Sequence, residues 1–523
     1  MDTKIRKSFT FAVPGLLMIL LLGLSCTDLD ELNTPPDQII ADNVDASLLG
    51  QAFSQAQFHG MRGNPGSGGY QDGQVNNADL YSQYIATTAE NFDPDQYVDV
   101  GPWTNGAWEY FYQTPAPQVF FVEQFTQENG MQLANAIAKI WRVQFYHRKT
   151  DYWGPIPYSS FGNGETSVPY DSQEDIYMDF FTTLDEAVAV LKQNMGGSVF
   201  SQYDLIYEGD VDKWLTFANS LRLRLAMRIS YVEPDMAEEE AEKAVLDGVM
   251  MDNSDNAMVL TTQNSLQPLG VISSWGEFRM SAAMESTMEG FEDPRLPEYW
   301  DEIEGGGFEG LRNGLPRTDK GPHLNTAHSN MHTKWRTPAA GGENLPIRVM
   351  AAAEVYFLRA EGALRGWEMD GNAQDLYEEG IRMSMSEERN GIPSNEIEAY
   401  ITSGATPMAL DDQWNTPAMS DITVQYDAGG SMEHRLEQII TQKWLALYPD
   451  GMEAWAERRR TGYPKGYPII ESLNLDLEED DLFRRMKFVI GEYNNNTAEV
   501  EAAVQLLDGP DSNATRLWWD AKL

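Results

Sequence analysis

Residues 351–367 read AAAEVYFLRAEGALRGW. Apolar side chains recur there at spacings of three and four residues, at Tyr356, Phe357, Ala360 and Leu364. That period places them on one face of a helix. Glu361 precedes Arg365 by four residues, an order that stabilises a helix further. Small residues on the same face would let a second helix approach closely.

The same pattern recurs along the chain as pairs of helices. The predicted pairs are about 131–150 with 172–194, 212–231 with 235–250, 347–367 with 371–386, and 433–446 with its continuation to Arg460. Single helices are predicted at about 46–58, 77–89, 105–128 and 497–507. The repeat period is loose, but the plan favours a tetratricopeptide-like array. Residues 251–345, rich in Gly, Pro, Asn and Trp, are too long for a connector and are predicted to form a separate loop-rich subdomain.

Residues 212–231 are apolar almost all round, yet they carry three arginines, Arg222, Arg224 and Arg228. A helix that is apolar on every side is a buried helix. Since a buried charge needs a partner, some of these arginines are predicted to pair with acids inside the protein.

The overall charge of the chain argues against one class of partner. Acidic residues outnumber basic ones 81 to 37 in the 523-residue chain, giving a formal charge of −44. Nucleic acid is therefore not an expected partner, because phosphate binding needs basic patches. The single cysteine, Cys26, excludes an internal disulfide framework.

Cys26 stands where a bacterial lipoprotein is cut and lipidated. A short basic segment and an apolar run from Phe9 to Leu24 precede it, which is typical of a removed signal peptide, residues 1–25. Gly23 departs from the usual lipobox, in which a Leu stands at that place. Residues 26–46 are predicted to form an acidic tether. A secreted protein with an incidental thiol is the alternative.

Several motifs resemble the SusD/RagB family of nutrient-binding outer-membrane lipoproteins. They are DYWGPIPY at 151–158, ANSLRLRLAMR at 218–228, AAAEVYFLRAE at 351–361, QKW at 442–444 with RRRTGYP at 458–464, and LWWD at 517–520. Their order matches the family, and the resemblance covers nearly the whole chain after Cys26.

The resemblance implies an all-α fold over residues 47–523. Four tetratricopeptide-like pairs, within about 131–250 and 347–460, would form a right-handed superhelix packed against the loop-rich subdomain. It also implies a lipid-anchored protein on the outer-membrane surface of a Bacteroidetes cell. Such a protein captures a glycan, or in some members a peptide, and delivers it to a SusC-like TonB-dependent transporter.

Ligand contacts are expected from aromatic side chains in the irregular segments, because loops on a rigid scaffold carry binding. A flat indole offers an apolar face to the C–H side of a sugar ring. The candidates are Trp275 and Trp335 first, then Trp103, Tyr70, Phe278, Trp300 and His332. The alternative is that they fill the core of the 251–345 subdomain. By contrast, Trp108, Trp153, Trp214 and Trp444 are expected in the core.

Metal ligands are a weaker hypothesis. His323, His328 and His332 fall within ten residues, but the surrounding Gly, Pro and Asn argue against the helix that would place them together. We therefore expect no metal site there. Acids at 252–256 and 476–481 could hold calcium through oxygen ligands, although neither stretch matches the twelve-residue calcium loop and solvated charge is preferred.

No catalytic motif is present: there is no Gly-x-Ser-x-Gly, His-Glu-x-x-His or phosphate loop. The family resemblance in addition implies a binding protein without catalysis. Two alternatives stay open. A secreted glycoside hydrolase needs only two well-placed carboxylates, and a helical-repeat scaffold would bind proteins alone.

Overall fold

The computed structural model describes residues 46–61, 63–66, 68–478 and 481–522. The predicted signal peptide, Cys26 and nearly all of the tether lie outside the described residues, as do Glu479 and Asp480. Residues from Gly50 onward form one compact unit; of the preceding unit only Ala46–Leu49 are described.

The described chain is mainly helical, as predicted. Its α-helices are α1 Ala46–Gly60, α2 Gly101–Gln113, α3 Pro115–Glu128, α4 Gln132–Trp153, α5 Gln173–Lys192, α6 Val211–Arg228, α7 Pro234–Asp247, α8 Pro268–Ile272, α9 Ala282–Gly290, α10 Leu296–Tyr299, α11 Leu324–Ala327, α12 Ala352–Arg365, α13 Ala373–Met385, α14 Ser394–Ile401, α15 Met432–Leu447, α16 Gly451–Thr461, α17 Ile490–Asn495 and α18 Thr497–Val504. A π-helix spans Gln71–Asp79. None of the helices in the described part of the chain has the length and apolar character needed to cross a bilayer.

The four predicted pairs are α4 with α5, α6 with α7, α12 with α13, and α15 with α16. The two helices of each pair pack on one another. Their starts follow local capping chemistry. The side chains of Ser172, Asp210, Asn372 and Asp450 accept hydrogen bonds from backbone N–H groups in the first turns of α5, α6, α13 and α16.

Two predictions of single helices were wrong in detail. The helix expected at 77–89 is instead the π-helix Gln71–Asp79 followed by a strand, because its polar side chains are buried against other elements rather than arranged on one face. The helix expected at 105–128 is two helices. Pro115 begins the second one, since a proline lacks the N–H that an uninterrupted helix would need there.

Four short strands, which the sequence did not predict, bind the loop-rich segment to the rest of the chain. They are β1 Ile85–Thr87, β2 Ala257–Val259, β3 Phe278–Met280 and β4 Ile347–Met350. β1 pairs antiparallel with β3, with Thr87 opposite Phe278, and β2 pairs antiparallel with β4, with Val259 opposite Ile347. The 251–345 segment is thereby tied to the start of the fold and to the third helix pair.

A buried network of charges joins the helix pairs at the centre of the fold. Arg224 of α6 donates from Nη2 to Glu354 Oε2 of α12 at 2.6 Å. Arg228 Nη2 lies 2.5 Å from Glu453 Oε1 of α16. The prediction that arginines of this helix pair with acids inside the protein is confirmed, and Arg222 likewise contacts Asp185 and Glu240.

Further members extend the network to the other pairs. Arg460 binds Glu361 and Glu457, each at 2.6 Å. Lys443 Nζ of α15 lies 3.4 Å from Glu457, and Asp151 of α4 lies 4.0 Å from Arg228 Nε. Every one of these side chains is at most 6 % exposed.

Electrostatics hold the acids of this network ionised. Burial alone would raise the pKa of Glu453, but the guanidinium groups of Arg228 and Arg224 outweigh it and hold that pKa below its usual range. The same balance raises the pKa of Arg228 above its usual range, chiefly through Glu453 against the cost of burial. Glu453 and Arg228 are therefore both charged at neutral pH.

A second buried acid shows the opposite balance. Asp79 ends the π-helix and meets the start of α16, where an added Cβ on Gly451 would lie 2.0 Å from Asp79 Oδ1, so only glycine fits. Burial raises the pKa of Asp79 to about 8, and the hydrogen bond from Gln74 lowers it only in part.

We expect Glu453→Gln to lower the free energy of unfolding by about 3–5 kcal/mol, because it removes the nearest charge partner of the buried Arg228. The control is Arg382→Gln, which breaks a partly exposed ion pair with Glu398 and should cost about 1 kcal/mol or less. Urea denaturation measures both variants. Equal losses in the two variants would show that the buried ion pair contributes no more to the free energy of unfolding than the partly exposed one.

We expect the stability to depend on pH through Asp79. Its pKa in the folded protein, about 8, lies above its ordinary value of 3.8. The contribution of the protonated carboxyl is therefore fully present below about pH 4 and is lost as pH rises through 8. In urea denaturation between pH 5 and 9, the free energy of unfolding should fall less steeply with pH in Asp79→Asn than in the unaltered protein. The control, Glu396→Gln at an exposed acid, should leave this pH dependence unchanged. A slope unaltered in Asp79→Asn would mean that this carboxyl stays ionised.

Candidate ligand-binding site

Three loop segments meet around Thr88, directly after β1. Its backbone N–H donates to the carbonyl of Glu277 at 2.9 Å, and its hydroxyl lies 3.0 Å from the carbonyl of Gly276 and 2.8 Å from Asn325 Oδ1. Gly276 has φ +75°, which lets the chain turn there beside Asn325. We call the surface formed by residues 88–103, 275–279 and 320–325 the loop face.

Aromatic rings cluster on the loop face. The ring of Phe92 lies 5.0 Å from that of Trp103 at 45° and 5.6 Å from that of Phe278 at 90°. Phe278 is buried and supports the other two rings, which are half-buried. Trp275, three residues before Phe278, is 43 % exposed. The loop face thus brings together three of the predicted residues and leaves Trp275 as its most exposed indole.

Polar groups stand beside these rings. Gln71 Nε2 donates to Glu277 Oε2 at 2.8 Å, and burial raises the pKa of Glu277 above its usual range. Glu90 and His323, both exposed, flank Gly321. Carboxylate, amide and imidazole groups next to apolar rings suit a hydroxyl-bearing ligand, since the rings cover its C–H faces while the polar groups bind its hydroxyls.

Arg279 holds one of the three segments in place. It is 6 % exposed, and its Nε and Nη2 donate to the carbonyl of Asn325 at 3.1 and 3.0 Å. Burial, with the nearby charge of Arg336, lowers its pKa to about 10. Arg279 therefore positions Asn325 rather than facing solvent.

The structure differs from expectation for Trp300 and Trp335, which are 1 % and 2 % exposed. Both pack on Tyr448, with ring centroids 5.2 and 5.6 Å away, and Tyr299 stacks on the same ring at 4.7 Å. The apolar area gained by burying two indoles against one tyrosine favours the core over the surface. Neither indole ring belongs to the loop face. The expectation that Trp108, Trp153, Trp214 and Trp444 are core residues is confirmed.

Tyr70 and His332 also lie away from the loop face. Tyr70 is 4 % exposed and accepts a hydrogen bond from Gln74 Nε2 at 2.8 Å. His332 is half-buried, and its Nδ1 accepts the backbone N–H of Lys334 at 3.1 Å. That hydrogen bond caps a turn and occupies Nδ1.

The three histidines do not converge on a metal. His323 and His328 flank the four-residue helix α11, and burial lowers the pKa of His328. Within the described ranges, no three His, Cys, Asp or Glu side chains are arranged to hold a metal ion. The carboxylate of Asp252 accepts the N–H of Ser254, and Asp476 lies 3.3 Å from Lys487. Two of the acids considered as calcium ligands, Asp252 and Asp476, therefore have partners within the protein.

Sequence reasoning missed Phe92, Glu277, Gln71 and Asn325. Phe92 had a usable signal, because it stands between Asn91 and Asp93-Pro94, a turn context like the one that singled out Trp103. The other three are ordinary polar residues that only tertiary contacts bring together. Glu277 directly precedes β3, Gln71 reaches it through a hydrogen bond, and Asn325 is held by Thr88 and Arg279.

Comparison with known proteins agrees with this architecture. The family described as SusD-like, Susd and RagB outer membrane lipoprotein, matches residues 31–520. A chitin-binding SusD homolog from Flavobacterium johnsoniae is 36% identical, with a TM-score of 0.83 over 91% of this chain and 99% of that chain. No curated protein matches the chain at a significant level.

Two structures from Bacteroides thetaiotaomicron are similar to the same extent. One, a SusD homolog, is 32% identical, with a TM-score of 0.82 over 92% of this chain and 100% of that one. The other, a SusD-like protein, is 35% identical, with a TM-score of 0.82 over 90% of this chain and 98% of that one. Given the match over residues 31–520 and these similarities, the chain belongs to the SusD/RagB family of outer-membrane lipoproteins.

Proposed function

We propose that this protein is a cell-surface lipoprotein, anchored through Cys26, that binds a glycan at the loop face and delivers it to a SusC-like TonB-dependent transporter. It acts by binding and handing over its ligand, without catalysis. The observation that carries the proposal is the exposed indole of Trp275 in the segment 275–279. In that segment the ring of Phe278 contacts Phe92, which in turn contacts Trp103, and the polar side chain of Glu277 binds Gln71.

The geometry favours a sugar over an extended peptide. On the described loop face, the strands β1 and β3 have three buried residues each and pair with one another. A peptide that binds by adding a strand needs a longer open edge. Separate rings with flanking carboxylate and amide groups instead suit pyranose faces and their hydroxyls.

Chitin oligosaccharides are the first ligands to test, because one similar protein is a chitin-binding SusD homolog. An N-acetyl group would add an apolar methyl for the rings and an amide for Glu277 or Asn325. A soluble glucan and a soluble fructan serve as comparison polymers. If the ligand is a peptide, the alternative within the family, the protein should bind none of these three glycans.

We expect Trp275→Ala to weaken glycan binding about tenfold or more, equivalent to ~1.4 kcal/mol, because it removes the most exposed apolar face of the site. The measurement is calorimetry of residues 27–523 with chitin oligosaccharides, preceded by native gels cast with soluble polysaccharides. The matched control is Trp414→Ala, at 37 % exposure in another loop, which should bind like the unaltered protein. Equal loss in both variants, or none in Trp275→Ala, would place the ligand elsewhere. Release of reducing sugar by the protein alone would establish a hydrolase instead.

We expect Cys26→Ser to abolish lipid attachment and to release the protein from outer-membrane fractions, because a thiol is the acceptor of the lipid chain. Labelling cells with a fatty-acid analogue measures attachment, and co-purification of a TonB-dependent transporter with the unaltered protein measures the partnership. Deleting the protein should reduce glycan uptake by the cells. Unchanged labelling in Cys26→Ser would disprove the anchor, and unchanged uptake with no co-purifying transporter would disprove delivery.

A further inference from the structure

A second concave site lies away from the loop face. A cavity of about 710 Å³ opens beside the β2–β4 strand pair, with Met258 and Arg348 on its wall. The edge of Trp335 and residues 386–389 complete it, and it shares none of its lining residues with the loop face. Its volume falls in the range of small-molecule sites, about 300–1,000 Å³.

One cluster in the cavity wall, Arg348, Glu387 and Arg389, carries an excess positive charge. Two guanidinium groups share one carboxylate: Arg348 Nη2 lies 2.5 Å from Glu387, and Arg389 Nε lies 2.6 Å from Glu387 Oε2. The side chains of Arg348, Arg389 and Glu387 are 5, 11 and 3 % exposed, respectively. One full charge therefore lacks a counter-ion inside this cluster, in surroundings where water screens it poorly.

The arginines also retain unused donors. Arg348 Nε and Arg389 Nη2 are buried and have no hydrogen-bond acceptor among the described residues. Arg389 is held over the ring of Trp335, 5.1 Å from its centroid, and burial followed by repulsion from Arg348 lowers its pKa. An incoming oxyanion would relieve the repulsion between the two guanidinium groups.

The mouth of the cavity limits how much negative charge can enter. Glu343 and Glu388 line the cavity and are exposed to solvent. They repel a dianion such as a phosphate ester, as does the formal charge of −44 on the chain. Between these acids and the arginines, the wall offers the apolar surfaces of Leu345 and Pro449.

We propose that this cavity is a second binding site, independent of the loop face, for a small solute carrying a single carboxylate. The carboxylate pairs with the excess positive charge of the Arg348–Glu387–Arg389 cluster, and the apolar and amide side chains of the wall contact the remainder of the solute. A sugar acid and a small organic acid both have this chemistry, and one test separates them.

The experiment is calorimetry of residues 27–523 with glucuronate and lactate as monocarboxylate probes. Glucose is the neutral counterpart of glucuronate, and glucose 6-phosphate is the dianionic one. We expect at least one monocarboxylate to bind with a Kd below about 10 mM, and at least tenfold more tightly than glucose or glucose 6-phosphate. Preference for glucuronate over lactate would assign a sugar acid, and the reverse would assign an organic acid. Failure of both probes to bind, or equal binding of glucuronate and glucose, would overturn the proposal.

Two variants with opposite expected effects locate the site. Arg389→Gln should weaken binding at least tenfold, while Glu388→Gln should tighten it two- to threefold by removing a repulsive charge at the mouth. Glu388 is exposed, so its variant tests the proposal even where Arg389→Gln fails to fold. Arg382→Gln, at a partly exposed arginine of α13, is the control and should change nothing. Loss of monocarboxylate binding in Trp275→Ala would overturn the assignment to the cavity, and so would binding that neither cavity variant changes. Unchanged binding in Trp275→Ala would show that this site is separate from the glycan site.

Discussion

The buried ion network centred on Arg228 and Glu453 is the constraint on which the arrangement of the helix pairs depends. A charge removed from water must find its partner, so the network permits only the packing in which α4, α6, α12, α15 and α16 bring their charged side chains together. The apolar faces could pack in several registers, since hydrophobic attraction has no direction. The ion pairs have direction, and they select one register.

That rigid centre explains where the loops can carry function. The helix pairs are fixed, and two short strand pairings, β1 with β3 and β2 with β4, help to hold the long loop-rich segment against them. The packing of Trp300 and Trp335 on Tyr448 adds to this attachment. Each pairing leaves a surface beside it: the loop face next to β1 and β3, and the arginine-lined cavity next to β2 and β4. The two surfaces differ in chemistry, since one offers aromatic rings with acids and amides and the other offers two arginines that share one buried carboxylate.

The helix pairs were largely predictable because they rest on local rules. The spacing of Tyr356, Phe357, Ala360 and Leu364 needs no distant partner, and the observed bounds of the paired helices lie within a few residues of those predicted. The errors fell where distant contacts decide. Residues 71–79 form a π-helix packed against α16, and Ile85–Thr87 becomes a strand only because Phe278–Met280 lies beside it.

The sequence by itself therefore determined the helical class, the paired helices, the burial of the arginines and the family, because periodicity, capping residues and motif order are carried by neighbouring positions. Only the tertiary structure decided which aromatic residues are available to a ligand. Trp275 and Trp335 occupy equally irregular segments, yet Trp335 packs on Tyr448, more than a hundred residues away in the sequence, while Trp275 stays 43 % exposed. The exposure of a side chain depends on contacts between distant segments, and those contacts exist only in the folded chain.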